Sequence, residues 1–282
     1  MIVWLAGCSG PPVLSLDDPR SVWAEGGDAV QVVPAGHLPS GEVNRDATEV
    51  WVTLPPGGEL ATEVLAGGRL GLSFPPGTSA DRVEWRGDGD ARRIVDVRGT
   101  TLEADGSRSH HVWVPVRRDP DASLVGVSWP AGDLVAADET LDALVAAVAP
   151  HRPEPAAWEQ QYRSKHGCDA CHTLDRPDNL AAGDHGLVNR GTDGQGWFTP
   201  STVLAPDVPV ETYGAWRGDD LDPYIVRDDG PVPRVHLDVA RGLAAADPHT
   251  LAHCRSVAWV VDHLRAGDPA RERLAAHPCL DR

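Results

Sequence analysis

His110-His111-Val112-Trp113-Val114-Pro115-Val116 is the stretch that decides the fold of the first half of the chain. Its even positions, His110, Val112, Val114 and Val116, make one mainly apolar face, while His111 and Trp113 share the other. A period of two belongs to a strand, whose successive side chains point to opposite sides. His110 and His111 therefore face apart and do not form a shared metal site.

Working outward, Ala29 to Val33, Glu49 to Leu54, Arg69 to Phe74, Arg82 to Trp85, Arg93 to Val97 and Ser123 to Trp129 are further short runs rich in Val and Trp. Pro55-Pro56-Gly57-Gly58, Pro75-Pro76-Gly77 and Gly87-Asp88-Gly89 are turn signals between them. Short strands at this spacing predict a small antiparallel sandwich or barrel. From Asp138 the period changes: Leu141, Leu144, Val145 and Val148 recur at helical steps, with Glu139 in the first turn. Pro150, Pro153 and Pro155 then break the chain.

That proline-rich stretch divides the sequence. Residues 1–27 read as a signal remnant and tether, 28–150 as a β-rich domain with a terminal helix, and 151–282 as a second domain. In the last part a helix is expected over about 154–165, with Trp158 and Tyr162 one turn apart and Gly167 able to end it. A long Gly- and Pro-studded region follows, to about Leu237, then a short helix over 238–246. The final helix has Asp247 as cap and Pro248 in the first turn, and runs to about Ala266. Leu251, Cys254, Val257, Ala258, Val261 and Leu264 form its apolar stripe.

Composition narrows the function classes. A formal net charge of −17 argues against a nucleic-acid binder, which needs a basic face to replace phosphate counterions. It suits docking to a basic partner, although acidity can equally serve solubility alone. Lys165 is the only lysine. No stretch approaches the ~18 continuous apolar residues of a membrane-spanning helix.

The five cysteines fall into three groups. Leu5-Ala6-Gly7-Cys8 resembles the lipobox of bacterial lipoproteins, in which the cysteine is acylated. Met1 to Trp4 is too short for the basic and apolar regions of a signal peptide. Either the true start lies upstream or the likeness is accidental; the flexible look of Ser9 to Pro19 favours the first. On that expectation the protein sits in the periplasm or at the cell surface, attached to membrane only through a lipid on Cys8.

Cys168-Asp169-Ala170-Cys171-His172 has the attachment pattern of c-type haem. Two thiols add to the two vinyl groups of one porphyrin edge, and two intervening residues let the backbone present both sulfurs to one side. The next residue, His172, then reaches the iron. Three alternatives stay open: a zinc site using Cys254 with a histidine or Cys279, a thioredoxin-type pair, and coincidence. Structural zinc sites usually show a second close ligand pair, and none occurs in the sequence. A thioredoxin-type pair wants a βαβ surround.

With a helix before the motif, a long loop region and a closing helix, residues 154 to 266 resemble the class I cytochrome c domain. The resemblance implies an α+β chain: an N-terminal β-rich, sandwich-like domain followed by a mainly α cytochrome c-like domain. It also implies that the two helices cross, bringing Trp158 or Tyr162 to Trp259. Pro177-Asp178-Asn179-Leu180 loosely matches the family's proline-leucine segment, though Pro177 comes closer to His172 than usual.

The family's usual sixth ligand is a methionine before the last helix, and here the sequence departs. Met1 is the only methionine, and Val232-Pro233 stands where Met-Pro would be. His236, 64 positions after His172, is the first candidate distal ligand, with His185, His249 and His253 as rivals and an open iron as the other outcome. Arg176, Arg190, Trp197 and Tyr213 are candidate donors to the haem carboxylates. Cys254 and Cys279 are left to each other; an oxidising compartment would permit a disulfide worth about 3 kcal/mol, and a free thiol pair is the alternative.

The expected function is that of an extracytoplasmic monohaem cytochrome, an electron carrier more than a catalyst, passing single electrons between redox protein partners. An open-site haem enzyme or gas sensor and a non-haem surface binding protein with a zinc or disulfide clip are the alternatives.

Overall fold

The computed structural model describes residues 3–4, 13–24, 26–33, 35, 47–64, 70–130, 136–163, 248–269, 271–272 and 280. In chain order the strands are β1 (Val3–Trp4), β2 (Leu14–Leu16), β3 (Ala29–Val33), β4 (Thr48–Thr53), β5 (Ala61–Val64), β6 (Leu70–Ser73), β7 (Ser79–Arg86), β8 (Arg93–Leu102), β9 (Arg108–Pro115) and β10 (Leu124–Pro130). The helices are α1 (Pro19–Val22), α2 (Asp138–Val148), α3 (Pro155–Arg163) and α4 (Pro248–His263).

Eight strands form one antiparallel sheet in the order β1-β2-β10-β9-β8-β7-β4-β3; β5 and β6 pair separately. The period-two pattern sets what each face buries. Val112 and Val114 of β9 sit opposite Val127 and Val125 of β10. With Trp129 they pack under the stripe Leu141, Leu144, Val145 and Val148 of α2 and under Tyr162 of α3. Asp138 and Glu139 stand in the first turn of α2, where carboxylates favour the helix dipole.

The other face carries Trp113, Val97, Val83, Trp51 and Ala29 from successive strands, together with Trp85, Ile94 and Leu124. Trp23, just after α1, closes over them. Trp113 lies across Gly126, where a Cβ would meet its ring at 2.7 Å, so the strand interior needs a glycine there. The buried Glu49 carboxylate accepts from Trp51 Nε1 at 3.0 Å and pairs with Arg92, whose guanidinium lies 4.1 Å over the Trp85 ring.

At the far edge α4 packs against β3. Its end is fastened to the segment before β5: Leu60 N–H donates to His263 O and Arg265 N–H to Leu60 O, each at 2.8 Å.

These findings overturn the expected α+β division into a sandwich-like domain and a mainly α cytochrome c-like domain. The described residues are mostly β, built on one eight-stranded antiparallel sheet with β5 and β6 as a separate pair. The helices expected to cross each other pack on that sheet instead. Tyr162 joins the β9–β10 cluster with Trp158 against it, while α4, which carries Trp259, lies against β3 at the opposite edge. The reason is apolar surface: α2 and α3 cover a valine face that the strands cannot cover themselves. Within residues 1–27, expected to be a tether, β2 extends the sheet and Trp23 is buried.

Candidate functional site

Of the residues singled out from the sequence, Cys8, Cys168, Cys171, His172, His236 and Cys279 lie outside the described residues. Cys254 is on α4, with its side chain outside the description. What the structure does define is the ground on which α3 stands before the Cys168–His172 motif begins.

Trp158 and Tyr162 stack at 4.9 Å between ring centroids, 18° from parallel, as their one-turn spacing allows. Tyr162 is buried among Val112, Trp129 and Leu144. Arg163, the last residue of α3, donates to Glu159 Oε1 at 2.9 Å and to Asp142 of α2. The Asp142 carboxylate, then that of Glu159, raises its pKa above the ordinary arginine value. A cation at this position also suits the helix C-terminus. Cys168 follows five residues later.

Arg152 lies beside this helix. It is only 7 % exposed, its guanidinium sits 5.2 Å over the Trp158 ring, and Nη2 donates to Pro115 O. Its Nε and Nη1 are buried without a hydrogen-bond partner. Sequence reasoning missed this residue, choosing donors only downstream of the motif, and no local pattern marked it.

A second polar cluster lies on the opposite face of the sheet. Asp81 Oδ1 meets His111 Nε2 at 2.6 Å, and Asp81 Oδ2 accepts from Trp23 Nε1 and Ser79 Oγ, each at 2.9 Å. His111 Nδ1 meets Thr101 Oγ1 at 3.1 Å. A carboxylate–imidazole pair is the core of many acid–base sites. Here both ring nitrogens are engaged and Asp81 is 2 % exposed, so the pair ties β7 to β9 and offers nothing to a substrate. Its legible signal was Gly99 inside a strand, where any Cβ would collide with Asp81 and His111. His110 points to the other face, 5.9 Å from Trp129.

Among the described residues no group of three or more His, Cys, Asp or Glu side chains could hold a metal ion, and no helix is long and apolar enough to cross a membrane. In comparisons with known proteins, no family model, curated protein or solved structure matches the chain.

Proposed function

We propose that the chain carries one covalent haem c, on Cys168 and Cys171 with His172 as the proximal iron ligand, and acts outside the cytoplasm as a single-electron carrier. The observation that carries this reading is the sequence Cys168-Asp169-Ala170-Cys171-His172 itself. Two features of the described structure suit such a group: the stacked Trp158–Tyr162 pair six to ten residues before the motif, and the buried Arg152 with two unmet N–H groups.

When bound, the haem supplies a one-electron iron couple whose potential follows axial ligation, burial and hydrogen bonding. The chain's own part is to hold and to shield. Cys168 and Cys171 would hold the porphyrin through thioethers, and His172 would bind the iron, with His236 as the candidate second ligand. Helix α3, fixed to the sheet through Tyr162 and to α2 through Arg163, is the described element that precedes the motif in the chain. The net charge of −17 favours encounter with a redox partner that presents a basic face. Acylation of Cys8 would hold the carrier at a membrane surface.

Expression in an export-competent host with haem-maturation machinery tests the proposal. Haem staining after denaturing electrophoresis is expected to be positive, with one haem per chain by pyridine haemochrome, and to disappear when both Cys168 and Cys171 are changed to Ala. A colourless wild-type protein would sink it.

A further inference from the structure

Beside β9 and β10 sits a buried positive charge, Arg152, that pairs with no carboxylate among the described residues. Arg152 caps the 3-10 turn Ala149–His151 and precedes Pro153, which keeps its backbone extended at φ −101°, ψ 142°. That conformation directs its side chain back under Trp158 and onto the end of β9. One donor is used, to Pro115 O; Nε and Nη1 are buried and donate to nothing. Burial, and then the charge of Arg118 in the β9–β10 loop, pull its pKa below the ordinary arginine value. In a chain with 17 more acids than bases, the neighbour felt by this buried cation is a second cation. Buried charges are normally paired. An arginine with unmet N–H groups matches a carboxylate better than any other common anion-binding side chain.

We infer that Arg152 is the seat of a carboxylate, and that this carboxylate is a haem propionate. The second half rests on the haem reading given above. Reach permits it. Helix rise is about 1.5 Å per residue and extended chain at most about 3.5 Å, so Cys168 lies within about 25 Å of Trp158. The aromatic surface of Trp158, already held by Tyr162, lies under the guanidinium and keeps water from its inner side.

The test compares the haem-loaded full chain with Arg152→Gln, Arg152→Lys and Arg118→Gln. Haem staining first reports whether the cofactor is present. In loaded protein, Arg152→Gln is expected to lower the reduction potential, because loss of the cation favours ferric iron, and to shift the propionate bending mode in resonance Raman. Arg152→Lys is expected to keep most of both signals, and Arg118→Gln to give a smaller fall. Loaded Arg152→Gln with unchanged potential and unchanged propionate mode would overturn the assignment. Should Arg152→Gln not fold, Arg118→Gln on the exposed loop decides: no change in either signal overturns it. Should the wild type carry no haem, the haem reading fails by itself. Acetate titration followed by tryptophan fluorescence then judges the seat. A saturable change lost in Arg152→Gln, or in Arg118→Gln if the former does not fold, supports a carboxylate from another source; no change overturns the seat as well.

Discussion

His111 and Asp81 meet at 2.6 Å across a whole intervening strand, over the one position of β8, Gly99, that has no side chain to separate them. Register puts His111 opposite Gly99 and Gly99 opposite Asp81. The hydrogen bond therefore joins β7 to β9 directly, and three strands are locked by one contact.

Gly99→Ala is expected to break that contact, since its Cβ would overlap both Asp81 Oδ1 and His111 Nε2. Overpacking and a strained buried polar pair each cost about 1–3 kcal/mol. Urea denaturation should show a loss of about 2–4 kcal/mol, with the slope against urea unchanged. A loss under about 0.5 kcal/mol, the range of an ordinary surface change, would mean the pair contributes nothing.

Asp81 also holds Trp23, through the indole N–H, against the sheet. Asp81→Ala would leave buried donors on Trp23 and His111 and a half-buried one on Ser79, at a cost of about 3–5 kcal/mol. Adding Ala at His111 should cost less than the sum of the single changes by about 1–2 kcal/mol, because the two act on one contact. Strict additivity in this double-mutant cycle would show that the two side chains do not interact.

Leu144 is fully buried where α2 meets β9 and β10. Leu144→Ala is expected to cost about 2–5 kcal/mol by lost burial and a residual cavity. The same change should raise hydrogen exchange in α3, because Tyr162 belongs to the same cluster. Exchange in α3 that stays at the wild-type rate would show that the helix is held by other contacts.

How much of this was legible follows from what each pattern encodes. Alternation over His110–Val116 announced its strand and the opposite aim of Val112 and Trp113, because a pleat allows no other reading. The stripe from Leu141 to Val148 likewise announced α2. Neither pattern says what lies opposite an apolar face, so a second sheet was expected where α2 and α3 pack. Trp158 and Tyr162 were visible as one helix face, yet helical spacing is identical whether that face meets a haem edge, another helix or a sheet. β2, at three residues, is too short to show a period. Arg152 was hidden for a different reason: its environment is made by Pro115 and Trp158, which its own sequence neighbours do not reveal.

Asp105, in the turn between β8 and β9, accepts hydrogen bonds from Ser107, including its N–H at 2.9 Å, and these hold its carboxyl below the usual aspartate value. A carboxylate depressed in the folded state adds stability above its unfolded pKa and loses it as pH falls through the folded one. Side-chain carbon shifts followed by NMR should titrate below the free-aspartate midpoint, and Ser107→Ala should move the midpoint up. A midpoint insensitive to Ser107 would refute the turn contact.

The axial ligands give the last prediction, which bears on the proposed electron transfer. Met1 is the only methionine, so the methionine–histidine pair usual in class I domains has no obvious source before the last helix. If His236 fills the sixth position opposite His172, two imidazoles close the iron to small ligands and set a lower potential than methionine–histidine ligation. The ferric wild type should then show low-spin bands and ignore cyanide at low concentration. His236→Ala should convert the bands to high spin and let cyanide bind, with haem staining retained because the thioethers at Cys168 and Cys171 are untouched. A wild-type ferric spectrum already high in spin and shifted by cyanide would remove His236 from the iron and turn the protein from a carrier toward a ligand-binding haem.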